Sequence, residues 1–387
     1  MTRPNLGGPT RQAIALWHAA KARGVRTLLV TGAVDRDEAL LSPALAGVPE
    51  LSLPAALALG EAAEGWVVVP ALRRGIAPFA DLRAGLALRR LLRAFRPDVV
   101  HTHTSKAGWL GRRAARAWPT ALVAHTFHGH VLQDYFGRLF SAWLRRQERR
   151  AAAATDVLFA VSASCADELA AAGIAARERL QVVPPAVPLL QPWSRDASRR
   201  RLELPAAGKA AVCVGRLVPI KRVADFVRAV AACPDLRGDV VGDGPERAAI
   251  EALGRDLAPG RVRCLGAVPD IAAVLPAYDA LVLPSVREGC PLVAIEAFAA
   301  GVPVCGYDVP GVHDVLAELG QGVLVPAAAG VTGLAAALLG LLAAPPGAAA
   351  LAAANRRAVA SCLPAAVFDR QLASYLASPR CHAAPVG

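Results

Sequence analysis

From residue 280 to residue 303 the chain reads Ala280-Leu-Val-Leu-Pro-Ser-Val-Arg-Glu-Gly-Cys-Pro-Leu-Val-Ala-Ile-Glu-Ala-Phe-Ala-Ala-Gly-Val-Pro303. The apolar run 280–283, which ends before Pro284, predicts a short buried strand. Residues 291–300 predict a helix, with Pro291 in its first turn and Gly301 just past its end. A strand, a loop and a helix in this order are the repeating unit of a parallel α/β sheet.

Two glutamates flank the start of this predicted helix. Glu288 lies on the loop, and Glu296 lies just over one turn inside the helix. Between them the amides of Leu292 and Val293 would point out of the positive end of the helix dipole, where a phosphate is favoured. A carboxylate is a good acceptor for a vicinal diol, so the segment suits a nucleotide sugar. The alternative is that Glu288 caps the helix and that Glu296 is a solvated helix residue.

Length and composition indicate a two-domain globular protein. The chain has 387 residues, of which 55% are apolar and 19% charged, and this is enough to bury two cores around an interdomain cleft. It shows neither a long uncharged apolar stretch nor a signal-peptide hydrophobic region at its start. We therefore expect a cytoplasmic protein. The eight cysteines are scattered without a CxxC pair, which predicts reduced thiols and no structural metal.

The net charge of +12 raises the question of an anionic partner. Aromatic residues make up only 5% of the chain, and no zinc-finger or RNA-binding aromatic motif accompanies the basic runs. We therefore expect no nucleic-acid partner. Arginine-rich helical segments lie at 89–96, 112–116 and 145–150, with Leu, Phe and Trp within or near them. This composition suits peripheral contact with an anionic membrane such as the inner face of the plasma membrane. Solvated helix faces are the alternative.

Short apolar runs alternate with helical patterns along the chain and predict two parallel sheets. Four prolines between residues 182 and 192 indicate an extended linker between them. We predict an N-terminal domain at 1–185, a C-terminal domain at 186–363, and a C-terminal helix with a tail at 364–387 that packs back toward the N-terminal domain. The predicted strands are 28–31, 66–69, 98–101, 121–125, 157–161, 210–214, 239–241, 262–265, 280–283 and 302–307.

The start of the chain departs from this pattern. Residues 5–10 form a Gly-rich turn that leads into a predicted helix at 11–22, but only four residues precede it. The strand expected before such a turn is missing, and unpaired backbone groups beside a cleft are costly when buried. We therefore expect the true start to lie upstream.

A second set of residues follows the first strand of the C-terminal domain. The stretch Ala211-Val-Cys-Val-Gly-Arg-Leu-Val-Pro-Ile-Lys221 is a buried strand, a glycine turn at Gly215 and two cations, Arg216 and Lys221. Such cations stabilise the negative charge of a departing nucleoside diphosphate without a metal. A surface ion pair is the alternative. The next strand ends in a turn with Gly242 and Gly244, where the backbone can approach a ligand closely.

Taken in order, these motifs resemble glycosyltransferase family 4, the retaining enzymes of the GT-B fold. The motifs are Gly7-Gly8, His101-Thr-His-Thr, Thr126-Phe-His-Gly129, Gly215-Arg216 with Lys221, Val241-Gly-Asp-Gly-Pro245 and Glu288-x7-Glu296. The resemblance spans nearly the whole chain. It implies an α/β GT-B protein with two Rossmann-like, doubly wound parallel-sheet domains facing a cleft, here with the first strand of the N-terminal domain missing.

The resemblance also implies roles for individual residues. Arg216 and Lys221 would bind the donor diphosphate, Glu296 the ribose hydroxyls and Glu288 the donor sugar, while His128 would face the transferred sugar. The predicted catalytic residues are Arg216, Lys221, Glu288 and His128. The Gly289-Cys290-Pro291 run departs from the commoner Gly-Phe-Gly form, which leaves the donor sugar open. The predicted donor-binding residues are Gly7, Gly8, Gly215, Arg216, Lys221, Gly242, Gly244, Gly289, Cys290, Pro291, Leu292, Val293 and Glu296.

The predicted function is transfer of a sugar from a nucleoside-diphosphate sugar to a hydroxyl of a saccharide or a lipid-linked glycan, with retention, in cell-surface polysaccharide synthesis. No cofactor and no metal are expected. A metal site built from His101, His103, His125, His128 and His130 is a weaker alternative. Two other functions stay open: a GT-B nucleotide-sugar epimerase, and a catalytically inactive protein that binds nucleotide sugars.

Overall fold

The computed structural model describes residues 1–2, 4, 7–34, 46–73, 75–129, 138–269, 271–319 and 322–380. The chain divides into two compact units. Unit 1 comprises Met1–Pro188 together with Cys362–Gly387, and unit 2 comprises Leu189–Ser361. These limits differ by a few residues from the domain boundaries expected from the sequence.

Unit 1 contains seven strands in two parallel sheets within its described residues. The strand orders are β1-β3-β2 and β4-β5-β6-β7. The elements are α1 (Gly8–Lys21), β1 (Leu28–Thr31), β2 (Glu50–Leu51), α2 (Leu53–Leu59), β3 (Gly65–Val68), α3 (Pro78–Phe95), β4 (Val99–His103), α4 (Ser105–Ala115), β5 (Leu122–Phe127), α5 (Arg138–Ala153), β6 (Val157–Ala160), α6 (Ala163–Ala171) and β7 (Leu180–Val182).

No strand precedes α1 in the described residues, as expected from the sequence. The first residues instead bond to the ends of β1 and β4. The Met1 amine donates to the Val30 carbonyl at 2.8 Å, and the Thr2 carbonyl accepts from the Gly32 amide at 3.0 Å. The Thr2 and Thr104 hydroxyls lie 2.7 Å apart. Met1 and Thr2 therefore connect the two sheets of unit 1.

The C-terminal helix of the chain, α15 (Pro364–Leu376), packs on α1 and β5. Its buried side chains Val367, Phe368 and Tyr375 join the same apolar core as Leu16 of α1. This helix therefore belongs to unit 1, although it follows unit 2 in the sequence.

Unit 2 contains one six-stranded parallel sheet in the order β10-β9-β8-β11-β12-β13. The chain moves outward from β8 to β10, then returns to place β11 on the other side of β8, which is the doubly wound arrangement with its switch point between β8 and β11. The elements are α7 (Arg195–Arg201), β8 (Lys209–Val214), α8 (Val223–Ala231), β9 (Leu236–Val241), α9 (Arg247–Leu257), β10 (Val262–Gly266), α10 (Ile271–Val274), β11 (Ala280–Leu283), α11 (Leu292–Ala299), β12 (Val304–Asp308), α12 (Val312–Leu319), β13 (Gly322–Pro326), α13 (Gly330–Ala343) and α14 (Ala348–Cys362).

The predicted strands all form, with ends shifted by at most three residues. The sequence does not predict β2, β7 and β13, which are short strands at the edges of their sheets. In the described part of the chain no single helix has the length and apolar character to cross a membrane, and only α13 with α14, bent by 114°, meets those criteria as a pair.

Candidate functional site

The predicted donor-binding loops of unit 2 follow adjacent strands. β8 pairs with β11 in parallel, through Ala211 with Ala280 and Val212 with Leu281. The Gly215–Lys221 loop follows β8, and the loop with Glu288 follows β11. Both loops therefore leave the carboxyl ends of the two strands that flank the switch point, where doubly wound proteins bind ligands.

A pair of opposite charges joins these two loops. Lys221 Nζ donates to Glu288 Oε1, and the Ser285 hydroxyl donates to the same oxygen at 2.7 Å. The Val286 amide donates to the Ile220 carbonyl at 3.0 Å, which fixes the two backbones together. Helix α11 has Pro291 as its N-cap and no side-chain cap. The interpretation of Glu288 as a helix cap is therefore wrong, because its carboxylate is held by Lys221 and Ser285.

Arg216 supplies a second cation on the loop after β8. Its side chain is exposed, and its guanidinium has no ion-pair or hydrogen-bond partner in the described ranges. The alternative of a surface ion pair is therefore wrong for Arg216. Lys221, by contrast, is only partly exposed and shares its charge with Glu288. The loop thus carries one solvated cation and one cation held by a carboxylate.

The two glycine turns of unit 2 lie against each other. Gly242 has φ of 134°, and a Cβ there would come within 1.9 Å of the Gly215 carbonyl oxygen. The Gly215 amide donates to the Val241 carbonyl at 2.9 Å, and the Leu217 amide donates to the Asp243 carbonyl at 2.9 Å. A Cβ at Gly244 would meet the Leu217 carbonyl oxygen at 2.4 Å. Glycine is therefore required at both positions, by backbone approach as well as by conformation.

Helix α11 presents its N-terminus to the same edge of the sheet. Within the described residues, the amides of Leu292 and Val293 have no hydrogen-bond acceptor, so they remain available to an anion. Glu296 lies inside the helix, and only 2% of its surface is exposed. The interpretation of Glu296 as a solvated helix residue is therefore wrong. Gly289 and Cys290 lie in the loop before α11, next to Glu288.

Two further features hold the Glu288 loop, and the sequence did not identify them as functional. The Glu288 amide donates to the Pro310 carbonyl at 3.2 Å. Gly311 has φ of 81°, and a Cβ there would lie 2.4 Å from the Glu288 carbonyl oxygen. The Pro310-Gly311 pair, directly after β12, is a turn signal that points to this close approach.

Cys213 lies beneath the charged pair at the end of β8. Burial raises the pKa of its thiol to about 12, and Glu288 adds to this shift while Lys221 opposes it. The thiol is therefore neutral at physiological pH and packs as a small apolar group.

Histidines form a separate polar cluster in unit 1. His103 ends β4 and His128 follows β5, and His103 Nδ1 lies 3.0 Å from His128 Nε2. His101 stacks on His103 with ring centroids 4.3 Å apart, and its Nδ1 hydrogen-bonds the Tyr375 hydroxyl of α15 at 2.7 Å. His128 is therefore held by a chain of contacts that reaches the C-terminal helix.

Burial keeps this cluster neutral. It lowers the pKa of His101 to about 3 and that of His128 to about 4, and it places the pKa values of His103 and His125 well below 6.5. At pH 7 these imidazoles act as hydrogen-bond donors and acceptors without charge. Among the described residues no group of three or more His, Cys, Asp or Glu side chains has the arrangement of a metal site. His130 lies outside the described residues.

Gly7 and Gly8 lie at the N-terminus of α1. Gly7 is the N-cap of this helix, and its carbonyl accepts from the amides of Thr10 and Arg11 at 3.2 and 3.3 Å. The structure therefore brings the predicted residues together in two groups. In unit 2 they lie on the loops after β8, β9 and β11, and in unit 1 they comprise the start of α1 and His128.

A six-stranded doubly wound sheet with close glycine turns, two cations and a helix N-terminus at its switch point defines a class of α/β proteins that bind nucleotides. Comparison with known families gives the particular group. The family described as "Glycosyltransferase Family 4" matches residues 6–190, and the family described as "Glycosyl transferases group 1" matches residues 208–344. The chain belongs to glycosyltransferase family 4 and has its two-domain GT-B fold.

Individual proteins support this membership. The chain is 31% identical over 266 residues to a UDP-Gal:alpha-D-GlcNAc-diphosphoundecaprenol alpha-1,3-galactosyltransferase of Escherichia coli, covering 63% of this chain and 66% of that protein. Matches to other curated relatives span between about half and two thirds of their length.

Solved structures share the fold across the whole chain. Sucrose-phosphate synthase from Thermosynechococcus elongatus has a TM-score of 0.78 at 23% identity, covering 95% of this chain and 93% of that one. HepE of Anabaena, solved in complex with UDP-glucose, has a TM-score of 0.73 at 19% identity, covering 96% of this chain and 98% of that one.

The neutral histidine cluster makes the stability of unit 1 dependent on pH. Below pH 6.5 these histidines bind protons in the unfolded chain but stay neutral in the folded protein, where their pKa values are lower. The free energy of unfolding should therefore fall on acidification from pH 6.5 to about 4. Each such histidine contributes about 1.4 kcal/mol per pH unit. Urea unfolding followed by tryptophan fluorescence reports mainly on unit 1, which holds five of the six tryptophans. His101→Gln should reduce this slope, and an unchanged slope would contradict the assignment.

Because Gly242 lies against Gly215, a methyl group at position 242 should destabilise unit 2 strongly. Gly242→Ala should lower the free energy of unfolding of unit 2 by about 3 kcal/mol, from the clash and the positive φ together, and should weaken binding of nucleoside diphosphates measured by calorimetry. Gly208→Ala is the matched control, because Gly208 has φ of 94° but open space around its Cβ position. Equal effects of the two substitutions would show that the contact with Gly215 is unimportant.

Proposed function

We propose that this protein is a retaining, metal-independent glycosyltransferase. It would move a sugar from a nucleoside-diphosphate sugar to a hydroxyl of a saccharide or a lipid-linked glycan in cell-surface polysaccharide synthesis. The observation that supports this most directly is the arrangement at the switch point of unit 2, where Arg216 and the Lys221–Glu288 pair lie on loops that follow adjacent strands.

The charges at this site suit a departing diphosphate. Arg216 offers a solvated guanidinium, and the amides of Leu292 and Val293 offer the positive end of α11. Lys221 forms an ion pair with Glu288. An incoming diphosphate would compete for Lys221, and Glu288 would then be released toward the hydroxyls of the donor sugar. Preorganised cations of this kind stabilise the charge that develops on the leaving group.

We assign the remaining donor contacts by the same chemistry. The carboxylate of Glu296 would accept hydrogen bonds from the vicinal hydroxyls of the ribose. The neutral imidazole of His128 would hydrogen-bond the transferred sugar, as the family resemblance implies, and Gly7 and Gly8 would approach the phosphates. A sugar has no charge, so a neutral donor and acceptor suits it better than an imidazolium ion.

Front-face displacement fits the reaction better than a covalent intermediate. The bond between the anomeric carbon and the diphosphate oxygen breaks while the acceptor oxygen bonds to the same face of that carbon. The acceptor proton passes to the departing diphosphate. Once released from Lys221, the Glu288 carboxylate would hydrogen-bond the hydroxyls of the donor sugar, which suits a positioning role more than that of a nucleophile.

The acceptor and the location are inferred from relatives. The name of the Escherichia coli relative specifies a diphosphoundecaprenol-linked sugar, which supports a lipid-linked acceptor for this chain. HepE was solved with UDP-glucose, which supports a UDP-sugar donor. We propose that the reaction takes place in the cytoplasm, at the inner face of the plasma membrane.

Donor turnover distinguishes the proposed function from its alternatives. A panel of nucleotide sugars is screened by saturation-transfer NMR, and consumption of the bound donor is then followed with and without saccharide and lipid-linked acceptors. We expect consumption that requires an acceptor, and a product with the anomeric configuration of the donor. Conversion without acceptor would indicate an epimerase, and binding without any turnover would indicate an inactive binding protein.

Substitutions at the site should separate binding from catalysis. Lys221→Ala should lower kcat by about a hundredfold or more, because it removes charge stabilisation of the leaving group. Glu296→Gln should mainly weaken nucleotide affinity, by roughly tenfold, because one charged hydrogen-bond acceptor is lost. Lys209→Ala removes the same charge from the opposite end of β8 and is the control for Lys221. Unchanged turnover in Lys221→Ala would refute the diphosphate role, and unchanged affinity in Glu296→Gln would refute the ribose role.

A further inference from the structure

Helix α3 of unit 1 exposes large apolar side chains on one face. The exposed fractions are 86% for Phe79, 63% for Leu82 and 47% for Leu86. Their spacing of three and four residues places them on the same side of the helix. The opposite side, with Ala84 and Leu91, is buried in the core of unit 1. The exposed residues therefore contribute nothing to the core, and burying them would be favourable.

The same exposed face becomes basic toward the C-terminal half of the helix. Arg83, Arg89, Arg90 and Arg93 are exposed, and none of these guanidiniums has an ion-pair or hydrogen-bond partner in the ranges that the structure describes. Asp81, the one acidic residue of α3, is paired with Lys106 at 2.5 Å. An 18-residue helix is about 27 Å long, so an apolar zone and a basic zone lie side by side along it.

Helix α3 is connected to the histidine cluster through α4, on the side away from its exposed face. Lys106, in the first turn of α4, binds Asp81 of α3 and also donates to the Gly75 carbonyl. Helix α4 starts two residues after His103, which contacts His128. The N-terminal half of α3 is therefore tied to the carboxyl end of β4, beside the residue that we assign to the transferred sugar.

In the other arginine-rich segments, some guanidiniums are engaged within the protein. Arg112, in the segment 112–116, is buried and paired with Glu148 at 2.5 Å. The interpretation of Arg112 as a membrane-facing cation is therefore wrong. Arg149, in the segment 145–150, donates to the Gly173 carbonyl at 2.6 Å. In both cases the guanidinium already has a structural role.

We propose that the exposed face of α3, together with Ile76 before it, docks on an anionic lipid bilayer. Phe79, Leu82 and Leu86 enter the boundary between headgroups and acyl chains, and the four arginines bind lipid phosphates. A helix with an apolar zone and clustered cations is suited to this position. The proposal rests on the proposed function, because a lipid-linked acceptor would then lie in the membrane on which the histidine cluster is positioned.

Charge and size favour a membrane over a second protein. In a symmetric dimer through this face, the arginines of one copy would meet either the arginines or the apolar side chains of the other, so their charges would be repelled or buried without a partner. A stable protein interface also needs roughly 800 Å² on each partner with matched shape, whereas a bilayer adapts to a single helix. The excess of unpaired arginines specifies that the bilayer is anionic.

Vesicle binding by the full chain tests this surface. Co-sedimentation is measured with vesicles of phosphatidylcholine alone and with mixed phosphatidylcholine and phosphatidylglycerol vesicles. We expect binding to the mixed vesicles only. Phe79→Ser/Leu82→Ser should lower this binding about tenfold or more, whereas Leu190→Ser/Leu376→Ser, which changes exposed leucines elsewhere, should leave it unchanged.

A charge-matched pair of variants tests the basic zone. Arg89→Gln/Arg90→Gln/Arg93→Gln should lower binding to the mixed vesicles by about fivefold for each arginine. Arg200→Gln/Arg255→Gln/Arg356→Gln removes the same charge from exposed positions in unit 2 and should have little effect. If both triple variants lose binding equally, net charge acts without a docking face and the proposal is wrong.

Two other results would overturn the proposal. Equal binding to both kinds of vesicle would exclude recognition of anionic lipid. A dimer in sedimentation velocity that dissociates in Phe79→Ser/Leu82→Ser would show that the face binds a second copy. The proposed function is judged separately, by donor consumption with a soluble acceptor. The α3 variants should still consume donor with that acceptor. If the protein consumes no donor at all, vesicle binding still tests the docking face by itself.

Discussion

The Lys221–Glu288 pair is the interaction on which the proposed donor site of unit 2 depends. It joins two loops that are 67 residues apart in the sequence and that follow the strands on either side of the switch point. Partial burial strengthens the pairing relative to a surface salt bridge, and it also makes either charge costly to leave alone. The pair therefore holds Lys221 and Glu288 in place on the two loops. The close approaches of Gly242 to Gly215 and of Gly311 to Glu288 hold the loops in the geometry that the pair requires.

The predicted catalytic residues are charged in unit 2 and neutral in unit 1. Unit 2 gathers formal charges and helix amides around the place expected for a diphosphate. Unit 1 gathers histidines whose pKa values burial depresses, so that they stay neutral. A diphosphate carries charge that must be balanced, whereas a sugar offers only hydroxyls, and neutral imidazoles can both donate to them and accept from them. In the proposed function, the charges of unit 2 would suit the diphosphate of a nucleotide sugar, and the neutral histidines of unit 1 would suit sugar hydroxyls.

The sequence predicts local features well, because short apolar runs between helical patterns determine strands, and glycine turns follow those strands. It places Glu288 on a loop and Glu296 in a helix correctly. It does not predict β7, a three-residue strand at the beginning of the Pro-rich segment. Nor does it predict that Tyr375 reaches His101 across 274 residues, because such a pairing depends on where the last helix packs. Long-range polar contacts follow from tertiary structure, and no spacing in the chain encodes them.

The arginine excess illustrates the same limit. Much of the positive charge has structural uses that net charge cannot reveal. Arg261 donates to the carbonyls of Val230, Cys233 and Leu236, and Arg199 donates to several loop carbonyls. These guanidiniums satisfy backbone acceptors at the ends of helices and strands, where an uncharged donor would be weaker. On α3 the arginines adjoin exposed apolar side chains and have no such acceptors among the described residues, and the proposed membrane contact would use their charge.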